Sequence, residues 1–282
     1  MPSITELTIY PIKSCAGIAL ESAELTEAGL RYQGICDREW MLVDLQGQFL
    51  SQRELPKMAC LRPTIQDGKL QVSAPGMPLL HLPCVRQEQQ MTRDVLIWDS
   101  ELNAIDEGEA AAAWFSQSLG IACRLVRFAA DAKRFASNKW TGEKQVPTRF
   151  SDGYPILLIS QASLDDLNHR AQSQGRSVVP MNRFRPNIVI DGIEAFEEDY
   201  AASYDIGDTI QLKPVKPCPR CPMPAVDQLT GEVKENPVDI LQSYRANPIV
   251  DGEITFGMNV ILEKATTNIL RIGDVVDMPI AF

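Results

Sequence analysis

The sequence predicts a mostly β, α+β protein: an N-terminal β-barrel-like unit at residues 1–125 packed against a second β-rich unit at residues 126–282, with a few peripheral helices. Three observations carry that expectation. Short segments rich in β-branched and alternating residues dominate the first hundred positions. Turn signals separate them, and strand-like runs resume after a polar, aperiodic stretch at 130–153.

In chain order, ITELTIYPI, ALESAELT, EWMLVDLQGQFLSQ, KLQVSAP and QEQQMTRDVLIW read as strands. Gly47, Asp67-Gly68 and Pro75-Gly76 mark turns, because glycine reaches positive φ without steric cost and proline presets φ. Short strands at this spacing suit a barrel or sandwich. EGEAAAAWFSQSLG, residues 107–120, reads as a helix with acidic residues at its start, an alanine-rich interior and Gly120 at its C-terminal end. CRLVRFA is the next strand, and the polar stretch after it is a candidate linker or binding loop. YPILLIS has the continuous apolar character of a buried strand. SLDDLNHRAQSQG reads as a helix N-capped by Ser163, with Asp165 and Asp166 where the helix dipole favours them. RPNIVIDG, YDIGDTIQLKPV, ITFGMNVILEKA and ILRIGDVVDMPI complete the strands.

The 282 residues carry 37 acidic and 27 basic side chains, a net charge of −10. Such a surface repels a phosphate backbone, so nucleic acid is not an expected partner. No apolar run reaches the roughly 20 residues of a membrane helix, and MPSITELTIYPIKS lacks the features of a secretory signal. A cytoplasmic protein without a membrane partner is expected. In a reducing compartment Cys60, Cys84 and Cys123 read as small buried hydrophobes. With only His81 and His169, a Ser-His-Asp triad or a histidine-rich zinc site is hard to assemble.

Two cysteines, Cys218 and Cys221, lie in KPCPRCPMPAVDQLTGE, whose four prolines forbid a regular helix. Such a pair can be half of a zinc site, a redox dithiol, or a loop presenting one metal-binding or reactive thiolate. No second CxxC or CxxH completes a zinc site, and proline after each cysteine departs from the helix N-terminus of a thioredoxin-like dithiol. Arg220 beside Cys221 would favour its thiolate. A soft thiolate on a stiff loop suits a soft or high-valent metal, or a sulfur in transit. One ligand does not hold a metal, so an organic cofactor would have to supply the rest.

Anion-binding features accompany it. In YPIKSCAG, Lys13, Ser14 and a loop freed by Gly17 make a phosphate cradle. Arg38, beside Asp37 in GICDREW, reads as half of a surface ion pair. Arg183 and Arg185 in NRFRPN share a face if the chain is extended, as Pro186 favours, and would together recognise an anionic or heteroaromatic ligand. Asp227 reads either as a turn former or as a proton donor.

Together, in order and spacing, YPIKSCAG, DREW, NRFRPN, CPRCPMPAVDQLTGE, LQSYR and FGMNVIL resemble the MOSC family in its two-part form, and within it the amidoxime-reducing molybdenum enzymes. The resemblance covers nearly the whole chain. It implies a MOSC N-terminal β-barrel domain at 1–125 and a MOSC β-barrel domain at 126–282. It also implies a molybdenum cofactor, a pterin dithiolene with a phosphate tail, whose metal takes one further ligand from Cys221. By the same resemblance Lys13, Ser14, Arg38, Arg185, Asn187, Pro219 and Arg220 bind the cofactor, and Asp152 and Gly153 fall on another segment that contacts it. Asn259 stands where relatives can have a tyrosine near the cofactor, and Gly153 and Tyr154 where they have hydroxyl residues. These departures bear on pocket shape and substrate preference.

The expected function is a molybdenum-cofactor-dependent oxidoreductase that reduces N-hydroxylated and other N-oxygenated small molecules, with Cys221 on the metal and Asp227 as proton donor. Some relatives carry a C-terminal ferredoxin domain. This chain ends at Phe282, so electrons are expected from a separate reductase or iron–sulfur protein. The alternatives are a sulfur carrier with a persulfide on Cys221, and a protein that binds and delivers the cofactor.

Overall fold

Alternation in the first residues produces the strand Ser3–Ile9, in which Ile4, Leu7 and Ile9 are buried. Ile4 and Leu7 are an odd number of residues apart, and a bulge between Ile4 and Glu6 brings both to the core. A computed structural model describes residues 1–66, 68–83 and 91–281 of the chain. Cys84, Asp67 and the first residues of QEQQMTRDVLIW lie outside the described residues.

The architecture is mostly β, as the sequence predicts. A nine-stranded sheet runs in the order Ile18–Leu20, Ser3–Ile9, Ile188–Asp191, Ile156–Ser160, Glu253–Ala265, Ile210–Pro219, Tyr204–Ile206, Val276–Asp277, with Ala246–Asn247 paired to one end of Glu253–Ala265. Its one parallel pair, Ile156–Ser160 with Ile188–Asp191, is joined through the helix Gln161–Ser173, the crossover that parallel strands require. Smaller sheets group Thr92–Ile97, Ser100–Asp106, Arg124–Arg127 and Trp40–Val43; Ile269–Arg271, Ser22–Thr26, Gly29–Tyr32 and Ile35–Cys36; and Arg62–Gln66, Lys69–Ser73 and Leu80–Pro83. The large sheet draws strands from both sides of the expected division at 125 and 126. ALESAELT is not one strand: Glu21 separates Ile18–Leu20 from Ser22–Thr26, and the two halves join different sheets.

The helix Glu109–Leu119 ends at Gly120 in the left-handed conformation, with φ 75°. It buries Ala111, Phe115 and Leu119 against Trp40 and Leu125. Gln161–Ser173 differs from expectation at its start. Ser160, not Ser163, is the N-cap, and its hydroxyl accepts from the Ser163 amide. The buried Glu198 carboxylate accepts from both the Ser160 and the Ser163 hydroxyls and so holds this helix start in place. Leu164, Leu167 and Ala171 face Phe184 and Phe256, and each leucine so buried contributes about 1.5–3 kcal/mol. Cys123 is buried, but Cys60 is only partly so, at the surface end of its turn near the Leu229 carbonyl. Among the described residues no helix is long and apolar enough to cross a membrane.

Candidate functional site

A cavity of about 500 Å³ opens between segments from both halves of the chain. Lys13, Ser14, Arg38, Asp152, Gly153, Arg185, Asn187, Pro219, Arg220, Cys221 and Asn259 all line it, together with Trp98, Tyr154, Phe184, Cys218 and Met223. Five cationic side chains, Lys13, Arg38, Arg185, Lys216 and Arg220, face two carboxylates, Asp152 and Glu253, in a chain of net charge −10. The local sign is therefore opposite to the average one.

Backbone geometry at the cavity is unusual. Ser14, Arg38 and Arg185 have φ of 63°, 47° and 59°, conformations that non-glycine residues rarely adopt. The freedom expected of Gly17 is not used; a side chain there would lie 2.6 Å from Thr8 and 2.7 Å from Tyr10, so glycine is needed for close approach. The Lys13 ammonium donates to the Phe150 carbonyl at 2.9 Å and pairs with Asp152. Burial pushes its pKa down and Asp152 opposes that. Desolvation opposes ionisation of Asp152 in turn, yet Lys13, with Arg38 beyond it, holds that carboxyl well below the usual carboxylate range.

Arg38 and Arg185 both lie over the buried Tyr10 ring, at 4.4 and 4.2 Å from its centroid. Burial, resisted by both guanidiniums, pushes the phenol up to about 12. Arg38 donates to Asp37 and to the Asn187 side-chain oxygen. Asp37 is 2% exposed and also accepts from the Tyr10 amide and from Asn187. The expected surface ion pair is thus a buried one, because Tyr10 and Asn187 close over it. Asn187 further accepts from the Leu157 amide and donates to the Thr8 carbonyl, tying three strands at the cavity floor.

The two arginines of NRFRPN do not share a face. Met181–Arg183 is a turn of 3-10 helix and Arg185 is left-handed, so the chain between them is not extended. Arg185 donates to Gln228, while Arg183 turns away to the Pro224 and Ala225 carbonyls and Asp227. Arg220 likewise departs from expectation. Its guanidinium meets Cys218 Sγ at 3.2 Å and the Phe184 carbonyl at 2.9 Å. Residues two apart on an extended chain point the same way; Cys218 is the penultimate residue of the strand Ile210–Pro219, and Arg220 follows directly on its end.

Asp227 lies outside this cavity. Its carboxylate accepts from Arg183, Lys234 and the amides of Leu229 and Thr230. Its acceptance from the amides two and three residues on is the geometry of a turn-forming aspartate. Arg134 is a residue the sequence reading missed. Buried, it donates to the carbonyls of Arg149, Ser151 and Asp152 and to Thr148, and so shapes the loop that presents Asp152. Through Ser151, Asp152 and Gly153 the stretch 130–153 forms part of the cavity wall. Tyr10 carried no local signal, since its role depends on two arginines distant in sequence.

The lining suits an anionic organic ligand. Three buried polar atoms without a partner, Ser151 Oγ, Arg185 Nη2 and Arg220 Nε, belong to residues around it. Among the described residues no three His, Cys, Asp or Glu side chains gather to hold a metal alone, so a metal here needs ligands from elsewhere.

Comparison with known proteins gives the class. The MOSC N-terminal beta barrel domain model matches residues 1–122 and the MOSC domain model residues 145–277. The chain belongs to the MOSC family, in its form with an N-terminal beta barrel domain. It is 35% identical to mitochondrial amidoxime reducing component 2 of Bos taurus over 281 residues, 96% of this chain and 82% of that one. It is 31% identical to mitochondrial amidoxime-reducing component 1 of Homo sapiens, covering 96% and 81%. A molybdenum cofactor sulfurase of Oryza sativa subsp. japonica is 31% identical over 90% of this chain but only 32% of its own length.

Proposed function

We propose that the protein is a molybdenum-cofactor-dependent oxidoreductase that reduces N-hydroxylated and other N-oxygenated small molecules. The observation that carries this reading is the cavity itself: one cationic pocket lined by Cys221 and by ten residues that the family resemblance assigns to cofactor binding. In this reading Cys221 supplies a thiolate to the metal. Lys13, Ser14, Arg38, Arg185, Asn187 and Arg220 hold the anionic pterin portion, with Asp152, Gly153, Pro219 and Asn259 around it. When bound, the cofactor supplies the redox metal at which an N–O bond is reduced and water released. The chain's own part is to orient the group, offset its charge and restrict water. Electrons come from a separate reductase or iron–sulfur protein. The cytoplasm, where thiols stay reduced, suits the six free cysteines described.

Molybdenum content tests the reading. Protein from a host that makes the cofactor is expected to hold about one metal per chain in the wild type and in Cys218→Ser, as a single-thiolate site implies. Cys221→Ser is expected to lose the metal or alter its spectrum. Similarity to the rice sulfurase favours a second reading, sulfur carriage on Cys221. A persulfide on Cys221 in protein without molybdenum would establish that reading and remove the first.

A further inference from the structure

Strands Thr92–Ile97 and Ser100–Asp106 are joined by a turn at Trp98 and Asp99. Trp98 has φ 54°. Two-residue hairpin turns favour glycine or asparagine in that conformation, and a bulky side chain there is an outlier. Strain of this kind gathers at functional sites. What holds the indole is visible: its Nε1 donates to Asp152 Oδ1 at 3.1 Å, Arg53 lies 4.6 Å from its centroid, and Phe49 packs at 5.0 Å. Despite these contacts Trp98 remains 42% exposed and lines the cavity, with Tyr154, Leu157, Phe184 and Met223 among the other lining residues.

The ring plane is thus fixed before any ligand arrives, and fixed through the same carboxylate that pairs with Lys13. A preset aromatic surface binds flat π systems without the cost of ordering a mobile side chain, and does little for a short saturated chain. We propose that Trp98 is a specificity-determining platform for planar, conjugated N-hydroxylated substrates, such as aryl amidoximes, at the mouth of the cavity. The proposal rests on the reductase reading and adds to it a residue that selects among its substrates.

The test uses molybdenum-loaded wild type, Trp98→Ala and Trp98→Phe, with benzamidoxime as the flat probe and N-hydroxybutylamine as the saturated one. Calorimetric binding and steady-state kinetics are read for both. In Trp98→Ala, binding of benzamidoxime weakens and its KM rises about 5- to 20-fold, the order of a lost aromatic contact. KM changes more than kcat, and the saturated probe is affected several-fold less. Trp98→Phe recovers most of the difference, because the phenyl keeps a flat surface. Equal losses for both probes, a loss confined to kcat, loss of molybdenum from Trp98→Ala, or a wild type that does not bind benzamidoxime each overturns the proposal. Trp98-dependent binding without turnover would instead sink the reductase reading and leave the platform standing.

Discussion

The Lys13 ammonium and the Asp152 carboxylate, 139 residues apart in the chain, meet at the wall of the cavity. Their exposures are unequal, 6% for the lysine side chain and 66% for the aspartate. The lysine has left water and depends on its partner, whereas the aspartate, although crowded enough by surrounding protein to feel desolvation, keeps most of its side-chain surface open to water. Lys13→Met should therefore weaken retention of an anionic cofactor about tenfold or more, the order of a lost charged hydrogen bond. Asp152→Asn should weaken it less. Molybdenum per chain after extensive desalting measures both, and a larger loss in Asp152→Asn would contradict this ordering.

Arg134 should be irreplaceable by lysine. One guanidinium serves the carbonyls of Arg149, Ser151 and Asp152, and a single ammonium lacks that fork of donors. Arg134→Lys is expected to cost about 2–4 kcal/mol in urea unfolding and to speed amide exchange over residues 148–153. Unchanged exchange in that loop would mean that other contacts hold it.

Asp227 gives a pH dependence. Hydrogen bonds from Lys234 above all, then from the Leu229 and Thr230 amides, with Arg183 nearby, hold its carboxyl well below the usual range. A folded-state pKa below the unfolded value means stability that is present above about pH 4 and lost as pH falls through the folded pKa. Asp227→Asn should then cost about 1–3 kcal/mol at pH 7, with the difference from wild type shrinking as acid protonates the wild-type carboxyl. Denaturation midpoints at pH 7 and pH 3.5 decide it; a difference that grows in acid would be the wrong sign.

Gly257 sits within the long strand Glu253–Ala265 at φ 80°, and a Cβ there would lie 2.5 Å from Ile159 Cγ1 and 2.8 Å from the Leu158 carbonyl. Gly257→Ala meets both backbone strain and a clash with its neighbouring strand. About 2–4 kcal/mol of destabilisation is expected, read as a fall in Tm with the denaturant m-value unchanged. A loss under about 0.5 kcal/mol would show that the strand relaxes freely there.

Strand content, the Gly120 helix stop and the conjunction of Lys13, Arg38, Arg185 and Cys221 were legible because each rests on local composition or on a motif kept in order. Partners were not. Ser160 and Ser163 at a helix start are both held by Glu198, some 35 residues on, and no local signal announces that partner. Arg38 reads as a surface cation until Tyr10 and Asn187 cover its carboxylate partner. Arg220 was the recoverable case: the two-residue period of an extended chain pairs it with Cys218 rather than with its neighbour Cys221. Membership of Ser3–Ile9 in a sheet with Ile188–Asp191 is a pairing across about two thirds of the chain, which periodicity does not encode.

The cavity walls come from both ends of the sequence: Lys13, Arg38 and Trp98 on one side, Asp152, Arg185 and Cys221 on the other. An unfolded chain scatters these groups, so whatever fills the cavity binds the folded state alone. Occupancy then enters the folding equilibrium by mass action, and a ligand at a hundred times its Kd adds about 2.7 kcal/mol. That is a sizeable share of a typical domain's stability. Supply of the cofactor would thus set how much of this protein survives quality control in the cell, as well as how much of it is active.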